Sequence, residues 1–350
     1  MSVTQKEIAD KLNLARITVG KVLAGRTDVW ISEENRRRIH LAAKELNYQP
    51  NAAATALRSG KTNIVAILYE CSPGDSGAYA GMTEAIADHL SDLGNALLVN
   101  VARTPAKMTE RIREISATRA CDLAILLGTE DQVEPQAILL ESLGIPFVVK
   151  GHFEESHPHW PQIDFDHVRM MRSSVEFLVG RGHRRLSFFG HNNDMVYASK
   201  LLDGYRLAVA ELAPDTDPIR STVKVNETSG QAEMLDDVVR GWRSRPAGLQ
   251  TTSAVIAVPG GTWRDLDMAL HRHGVRMAPG QFEAAGLAYY QRQMLYGQGH
   301  MFPGVGLYNL GQELARQLVE PLILGKPLET KIVRVLPDLQ LGPPPILPEP

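Results

Sequence analysis

Apolar residues in the first fifty positions recur in three short stripes separated by polar breaks. Val3, Ile8, Ala9 and Leu12 form the first, Ala15, Val19, Val22 and Leu23 the second, and Ile39, Ala42, Ala43 and Leu46 the third. Spacings of three and four place each set on one helix face. Thr4 and Glu7 make a capping box, in which each side chain takes a backbone amide of the other residue, with Val3 and Ile8 as the matching staple. Asn13-Leu14-Ala15 breaks the pattern, Gly25 stands where a left-handed cap would close helix two, and Ser32 with Glu33 and Glu34 opens helix three. Three short helices around one small core are predicted. With Val19 at the centre of the buried face and about 100° per residue, Ile17, Gly20 and Lys21 point outward. Arg16 lies at the exposed N-terminal edge and Thr18 on the opposite flank.

Beyond residue 63 the pattern changes. Apolar runs at 64–69, 96–101, 122–127, 145–149, 186–189, 254–258 and 284–287 alternate with amphipathic stretches such as 79–93, 168–179, 200–212, 231–242 and 308–325. This alternation predicts an α/β body of parallel sheets covered by helices. Between head and body lies NYQPNAAATALRSGK. Pro50 presets a first helical turn, but the alanine-rich segment after it is shorter than the roughly 12–15 residues an isolated helix needs. It should fray until something orders it. The C-terminal GPPPILPEP suits no element interior and reads as an extended tail. The expected boundaries are 1–49 for the helical head, 50–62 for hinge helix and linker, 63–342 for the body and 343–350 for the tail.

Composition narrows the class. At 350 residues, 44% hydrophobic and 22% charged, the chain is an ordinary globular one with two or three folding units. It has neither an apolar run of about 18 residues nor a signal-peptide pattern at its N-terminus, so a cytoplasmic protein is expected. Cys71 and Cys121 are too few for a disulfide framework and read as packed thiols. The net charge of −3 conceals an asymmetry: residues 1–61 hold eleven Lys/Arg against six Asp/Glu, leaving an acidic remainder. A basic head on an acidic body suits a nucleic-acid module attached to something that should not adhere to nucleic acid.

VTQKEIADKL, TVGKVLAG, ISEENRRRI and AAKELNYQPNAAATALRSGKTN, followed in order by CDLAILLG, LGIPFVV, FLVGRGHRRLSFFG, LLDGYRLAVAEL, LGQELARQLVEPLILGKP and VRVLPDL, together resemble the LacI family of bacterial transcriptional regulators. The likeness runs from residue 2 to about residue 342. It implies a helix-turn-helix domain, a hinge helix and a periplasmic-binding-protein-like body of two Rossmann-like subdomains, with the chain crossing between them three times. It also implies a homodimer on a palindromic double-stranded DNA operator, with a small-molecule effector in the cleft. By position, Thr4, Arg16, Ile17, Thr18, Gly20 and Lys21 match the DNA-facing sites. Asn51, Ala54, Leu57 and Arg58 match the hinge, where Leu57 takes the place of the minor-groove wedge. Trp30, an extra residue between helices two and three, is read as packing.

Departures from the pattern bear on the effector. The family's anchoring arginine is replaced by Leu201, its Asn-Asp pair by Pro259-Gly260-Gly261, and its aspartate by Ala288. These positions offer a hydroxyl-rich ligand no donors or acceptors to offset its lost hydration, so an effector other than a typical sugar, or a lost pocket, is expected. Tyr79, His191, Asn193 and Tyr197 lie near the family's cleft-lining loops, beside Leu201 and Ala288. His152, His157, His159 and His167 match no metal-ligand spacing, and neither metal nor cofactor is expected. PGDSG and VPGGTW lack the P-loop spacing, and no nucleophile elbow appears, so no enzyme is expected. The alternative is a small-molecule-binding module whose head no longer reads DNA.

Overall fold

The computed structural model describes residues 3–23, 30–48, 60–71, 79–191, 195–216, 222–225, 231–243, 254–257, 266, 268–275, 283–286 and 307–336. The chain divides into two compact units, Met1–Thr62 and Asn63–Pro350. In the first, α1 (Gln5–Leu12), α2 (Arg16–Leu23) and α3 (Glu33–Glu45) close around Ile8, Ala9, Val19, Val22, Ile39 and Ala42. The caps form as their chemistry dictates. Thr4 N donates to Glu7 Oε2 at 2.8 Å and Glu7 N to Thr4 Oγ1 at 3.4 Å, while Asn35 N donates to Ser32 Oγ at 3.3 Å. Asn13, in the left-handed region at φ 54°, ends α1. One member of the second stripe is corrected: Ala15 is exposed, and Leu14 packs against the core instead.

Along β1 (Ile64–Glu70) successive side chains enter different cores. Val65, Ile67 and Tyr69 join one apolar cluster and Ala66 and Leu68 another, as expected of a strand covered on both faces. With β2 (Ala96–Ala102), β3 (Leu123–Leu127), β4 (Phe147–Lys150), β5 (Gln162–Phe165) and β10 (Ile332–Val335), it forms a parallel six-stranded sheet ordered β10-β5-β4-β3-β1-β2. Helix α4 (Ala80–Asp92) contributes Met82, Ile86 and Leu90 to the first cluster. The second takes Met108, Ile112 and Ile115 from α5 (Pro105–Thr118), with Val133, Ala137 and Leu140 from α6 (Glu130–Ser142).

The chain leaves this sheet through α7 (His167–Gly180) and enters a second parallel sheet. Its strands are β6 (Leu186–His191), β7 (Thr222–Val225), β8 (Ala254–Ala257) and β9 (Glu283–Gly286), ordered β7-β6-β8-β9. Helix α8 (Val196–Leu212) packs on α7 so closely that a Cβ on Gly204 would lie 2.8 Å from the Val168 carbonyl oxygen. The next residue, Tyr205, donates its hydroxyl to Leu186 O at 3.0 Å. Leu235 and Val239 of α9 (Gln231–Arg243) pack with Phe189 and Val255 on the second sheet. The chain then returns through α10 (Leu307–Leu314), a π-helical turn (Ala315–Val319) and α11 (Glu320–Ile323) to β10. The described elements thus pass from the first sheet to the second and resume at the first; residues 287–306, on the way back, and the expected third crossing lie outside the described residues.

Candidate nucleic-acid interface and ligand cleft

Helix α2 carries the candidate reading face. Val19 and Val22 are locked in the core, which leaves Arg16, Ile17 and Lys21 exposed and Thr18 half-buried. Ile17, at 73% exposure, shares its face with Lys21 four residues on. No side-chain hydrogen bond or ion pair joins Arg16 or Lys21 to another described residue, whereas Lys11 is spent on Glu45 at 2.7 Å. Thr4, also exposed, serves first as a cap. An isoleucine held out in water between two cations with no ion pair among the described residues can do two things on DNA: meet a thymine methyl, and leave the cations to guanine edges or phosphates.

Two readings of this unit change. Gly20 was expected to face outward; it is buried, with the Gln5 side chain lying over it. Trp30, read as packing, is fully exposed at 101%. The hinge positions Asn51, Ala54, Leu57 and Arg58, and the cap at Gly25, lie outside the described residues.

In the second unit, charged side chains gather at the carboxyl ends of adjacent parallel strands, where open α/β sheets hold ligands. Lys150 ends β4 and pairs with buried Asp164 on β5, Nζ to Oδ2 at 3.0 Å. Beside them, His152 Nε2 faces His167 Nδ1 at 2.7 Å, and both rings are buried. Glu154 receives Arg334 and Lys200, the latter at 3.2 Å, and lies 3.4 Å from His152 Nδ1. Glu130 opens α6 with its Oε2 buried and lacking a hydrogen-bond partner among the described residues. Glu70, at the end of β1, accepts from Gln136 Nε2 at 2.7 Å.

The electrostatics follow from burial and pairing. Burial holds His152 neutral, its pKa lowered to about 4, and His167 likewise to about 3. Burial alone would raise Asp164, but the Lys150 ammonium holds it well below the carboxylate range. Burial would lower Lys150 and the Asp164 charge reverses that. Glu154 is driven upward by burial, yet a backbone hydrogen bond and Arg334 bring it down to about 2. Glu130 is raised, chiefly by desolvation. The cluster therefore holds fixed charges next to two uncharged imidazoles.

Of the six cleft residues read from sequence, two flank this cluster. The Tyr197 ring lies tilted, at 44°, with its centroid 6.0 Å from that of His167, and Tyr79 packs edge-on to Tyr69 at 5.4 Å and bears on the charge of Lys150. Leu201 does not line a polar site: it is buried within the apolar core. Asn193, Ala288, residues 259–261 and the His191 side chain lie outside the described residues. Of the four histidines, His157 and His159 go elsewhere, to Glu134 at 2.8 Å and Glu141 at 3.0 Å, while His152 and His167 are joined by Asp164. Sequence reading missed Lys150, Asp164, Glu130, Glu154, Lys200 and Arg334. A signal was present in the charged residue that ends the apolar run IPFVVK, because a charge at the carboxyl end of a buried parallel strand faces the ligand side.

No family model matches the chain. It is 25% identical to the HTH-type transcriptional regulator MalR of Streptococcus pneumoniae over 223 residues, 62% of this chain and 66% of that protein. It is 28% identical to CelR of Thermobifida fusca over 218 residues, 61% and 63% of the two chains. With RafR of Escherichia coli it shares 26% over 236 residues, 66% and 68%. The match thus spans just under two thirds of the length of MalR. Among solved structures, the lac repressor dimer bound to operator and the anti-inducer ONPF aligns with a TM-score of 0.72 at 17% identity, covering 98% of this chain and all of that one. A complex of the transcriptional regulator CelR with cellobiose aligns at 0.63 and 22%, covering 97% and 98%. A putative LacI-family regulator of Rhizobium etli aligns at 0.65 and 16%, covering 80% and 97%. The fold is therefore that of an N-terminal helix-turn-helix followed by a periplasmic-binding-protein-like body of two subdomains.

Proposed function

We propose that this chain is a transcriptional regulator of the LacI family that represses transcription as a homodimer bound to a palindromic DNA operator; its curated relatives are named as HTH-type transcriptional regulators and its fold is shared with the lac repressor. The observation that carries this reading is α2, whose buried side is fixed by Val19 and Val22 while Arg16, Ile17 and Lys21 stand free in solvent. No contact within the described residues accounts for an exposed isoleucine between two cations that have no ion pair among them; contact with a duplex does. The hinge residues Asn51, Ala54, Leu57 and Arg58 would then add minor-groove contacts, with Leu57 as the wedge. The relatives are named as regulators, and we assign the cleft to sensing rather than catalysis. No described helix is long and apolar enough to cross a membrane, and a protein acting on DNA works in the cytoplasm.

Dimerisation has its own support. β2 is an edge strand, yet it exposes Leu98, Val99 and Val101. An apolar strand edge invites pairing or cover, and a second copy of the chain is the partner a palindromic site requires.

The effector is a small molecule bound at the strand ends around Lys150 and Asp164, and not held as a typical sugar is, because Leu201 is sealed in the core where a polar anchor would be needed. Selection from random duplexes with the full-length chain tests the main reading. Enrichment of an inverted repeat, bound with steep salt dependence, is expected; no enriched repeat would overturn it. A rise of several degrees in melting temperature with a common hexose would contradict the effector reading.

A further inference from the structure

We propose that His152, Asp164 and His167 form a binding site for a divalent transition-metal ion. This site stands on the geometry of the cluster and does not depend on what the head binds. One ligand atom from each residue lies within 4.8 Å of the others, and all three residues are buried. The two imidazoles already turn ring nitrogens toward each other, His152 Nε2 to His167 Nδ1 at 2.7 Å. Nitrogens so placed share one proton. Opened to roughly 3.3 Å, the spacing set by two Zn–N bonds of about 2.0–2.1 Å in a tetrahedron, they share a metal ion instead.

The supports are those of a built site. Asp164 sits in β5, inside a six-stranded sheet, with Oδ1 accepting from Phe165 N at 2.8 Å. His167 is the first residue of α7. The far nitrogen of His152 faces the Glu154 carboxylate, itself held by Arg334 and Lys200. A carboxylate behind a ligating imidazole orients the ring and fixes its tautomer. Two nitrogens and one oxygen select Zn²⁺, Ni²⁺ or Co²⁺ over Mg²⁺ or Ca²⁺, and three protein ligands leave a fourth position for water or an effector atom.

One group opposes the metal. Lys150 Nζ already neutralises Asp164 Oδ2, so ion and ammonium compete for the same carboxylate, while Glu130, with its buried unpartnered oxygen, favours added positive charge. Lys150 is thus the internal cation that a metal ion displaces or pushes aside.

Equilibrium dialysis of the chelator-stripped full chain against Zn²⁺ alone, and against Mg²⁺ alone, tests the site. One Zn²⁺ per chain and no Mg²⁺ is expected. Affinity should fall at least about tenfold in His152→Gln and in His167→Asn, stay unchanged in His159→Ala, and rise in Lys150→Gln. Zn²⁺ should also raise the melting temperature more in Lys150→Gln than in the wild type. Less than one Zn²⁺ per chain, or binding indifferent to both histidine variants, overturns the proposal. Should those variants fail to fold, Co²⁺ added to the wild type decides: intense visible bands of a four-coordinate ion support the site, and the weak spectrum of an aqua ion overturns it.

Discussion

The Gln5 side chain of α1 lies over the Cα of Gly20 in α2, so that a Cβ built on Gly20 would meet Gln5 Oε1 at 2.8 Å. Glycine in a helix interior costs about 1 kcal/mol relative to alanine. Here that cost accompanies a close crossing of the first two helices, and the obstacle is the movable end of a side chain. Gly20→Ala should therefore gain little stability in the native background and about 1 kcal/mol in a Gln5→Ala background. A double-mutant cycle by thermal denaturation measures the difference. Equal gains in both backgrounds would remove Gln5 as the reason for glycine.

Lys21 and Ile17 share an exposed face but should fail differently. Lys21→Ala should weaken binding to all duplexes alike and reduce the slope of log affinity against log salt by about 1, the signature of one lost phosphate contact. Ile17→Ala should leave that slope unchanged and relax the preference for thymine at one operator position, at a cost of about 1 kcal/mol. Fluorescence anisotropy across a salt series, with single-base operator variants, separates the two. A salt slope altered by Ile17→Ala, or a base preference altered by Lys21→Ala, would contradict these roles.

The head was the most legible part of the sequence, because capping and helical periodicity are local rules: Thr4, Glu7, Ser32 and Asn13 act where their chemistry places them. What escaped was set by tertiary contact. The outward direction computed for Gly20 ignored the neighbouring helix, and nothing local marks Trp30 as unpacked. In the body, apolar runs announced β1, β3, β4 and β8, whereas β5 (QIDF) and β7 (TVKV) alternate polar with apolar residues and present no such run. The cleft was least legible for the same reason. Lys150, His152, Asp164 and His167 are brought together by the pairing of β4 with β5, and their spacing along the chain matches no ligand motif.

β2 supplies a third test. Leu98, Val99 and Val101 are exposed on an edge strand of the six-stranded sheet, and burial of such side chains is worth about 25 cal/mol per Å². Val99→Lys, combined with Leu98→Glu, should halve the mass seen by light scattering at micromolar concentration without lowering helix content. Operator affinity should fall with it, since one head covers one half-site. An unchanged mass would move the dimer contact away from β2.

The buried imidazoles give stability a predictable dependence on pH. His152 and His167 have pKa values lowered to about 4 and about 3, while an unfolded histidine titrates near 6.5. Between about pH 6.5 and pH 4 the unfolded chain therefore binds more protons than the folded one. Stability should fall as pH drops through that window, because the unfolded histidines take up protons that the buried pair resists. Asp164 and Glu154, lowered by their cationic neighbours, lose their contributions only at more acid pH, as those carboxylates protonate. Glu130 and Glu70 are raised by burial and act with the opposite sign, favouring the folded state as pH falls toward their ordinary values. The comparison of wild type with His167→Asn isolates the histidine contribution, because the carboxylates remain in both. Urea denaturation at pH 7, 6 and 5 should show the wild type losing stability more steeply than the variant. Equal slopes would mean that the pair takes up a proton in the folded state, contrary to the lowering of both imidazoles by burial.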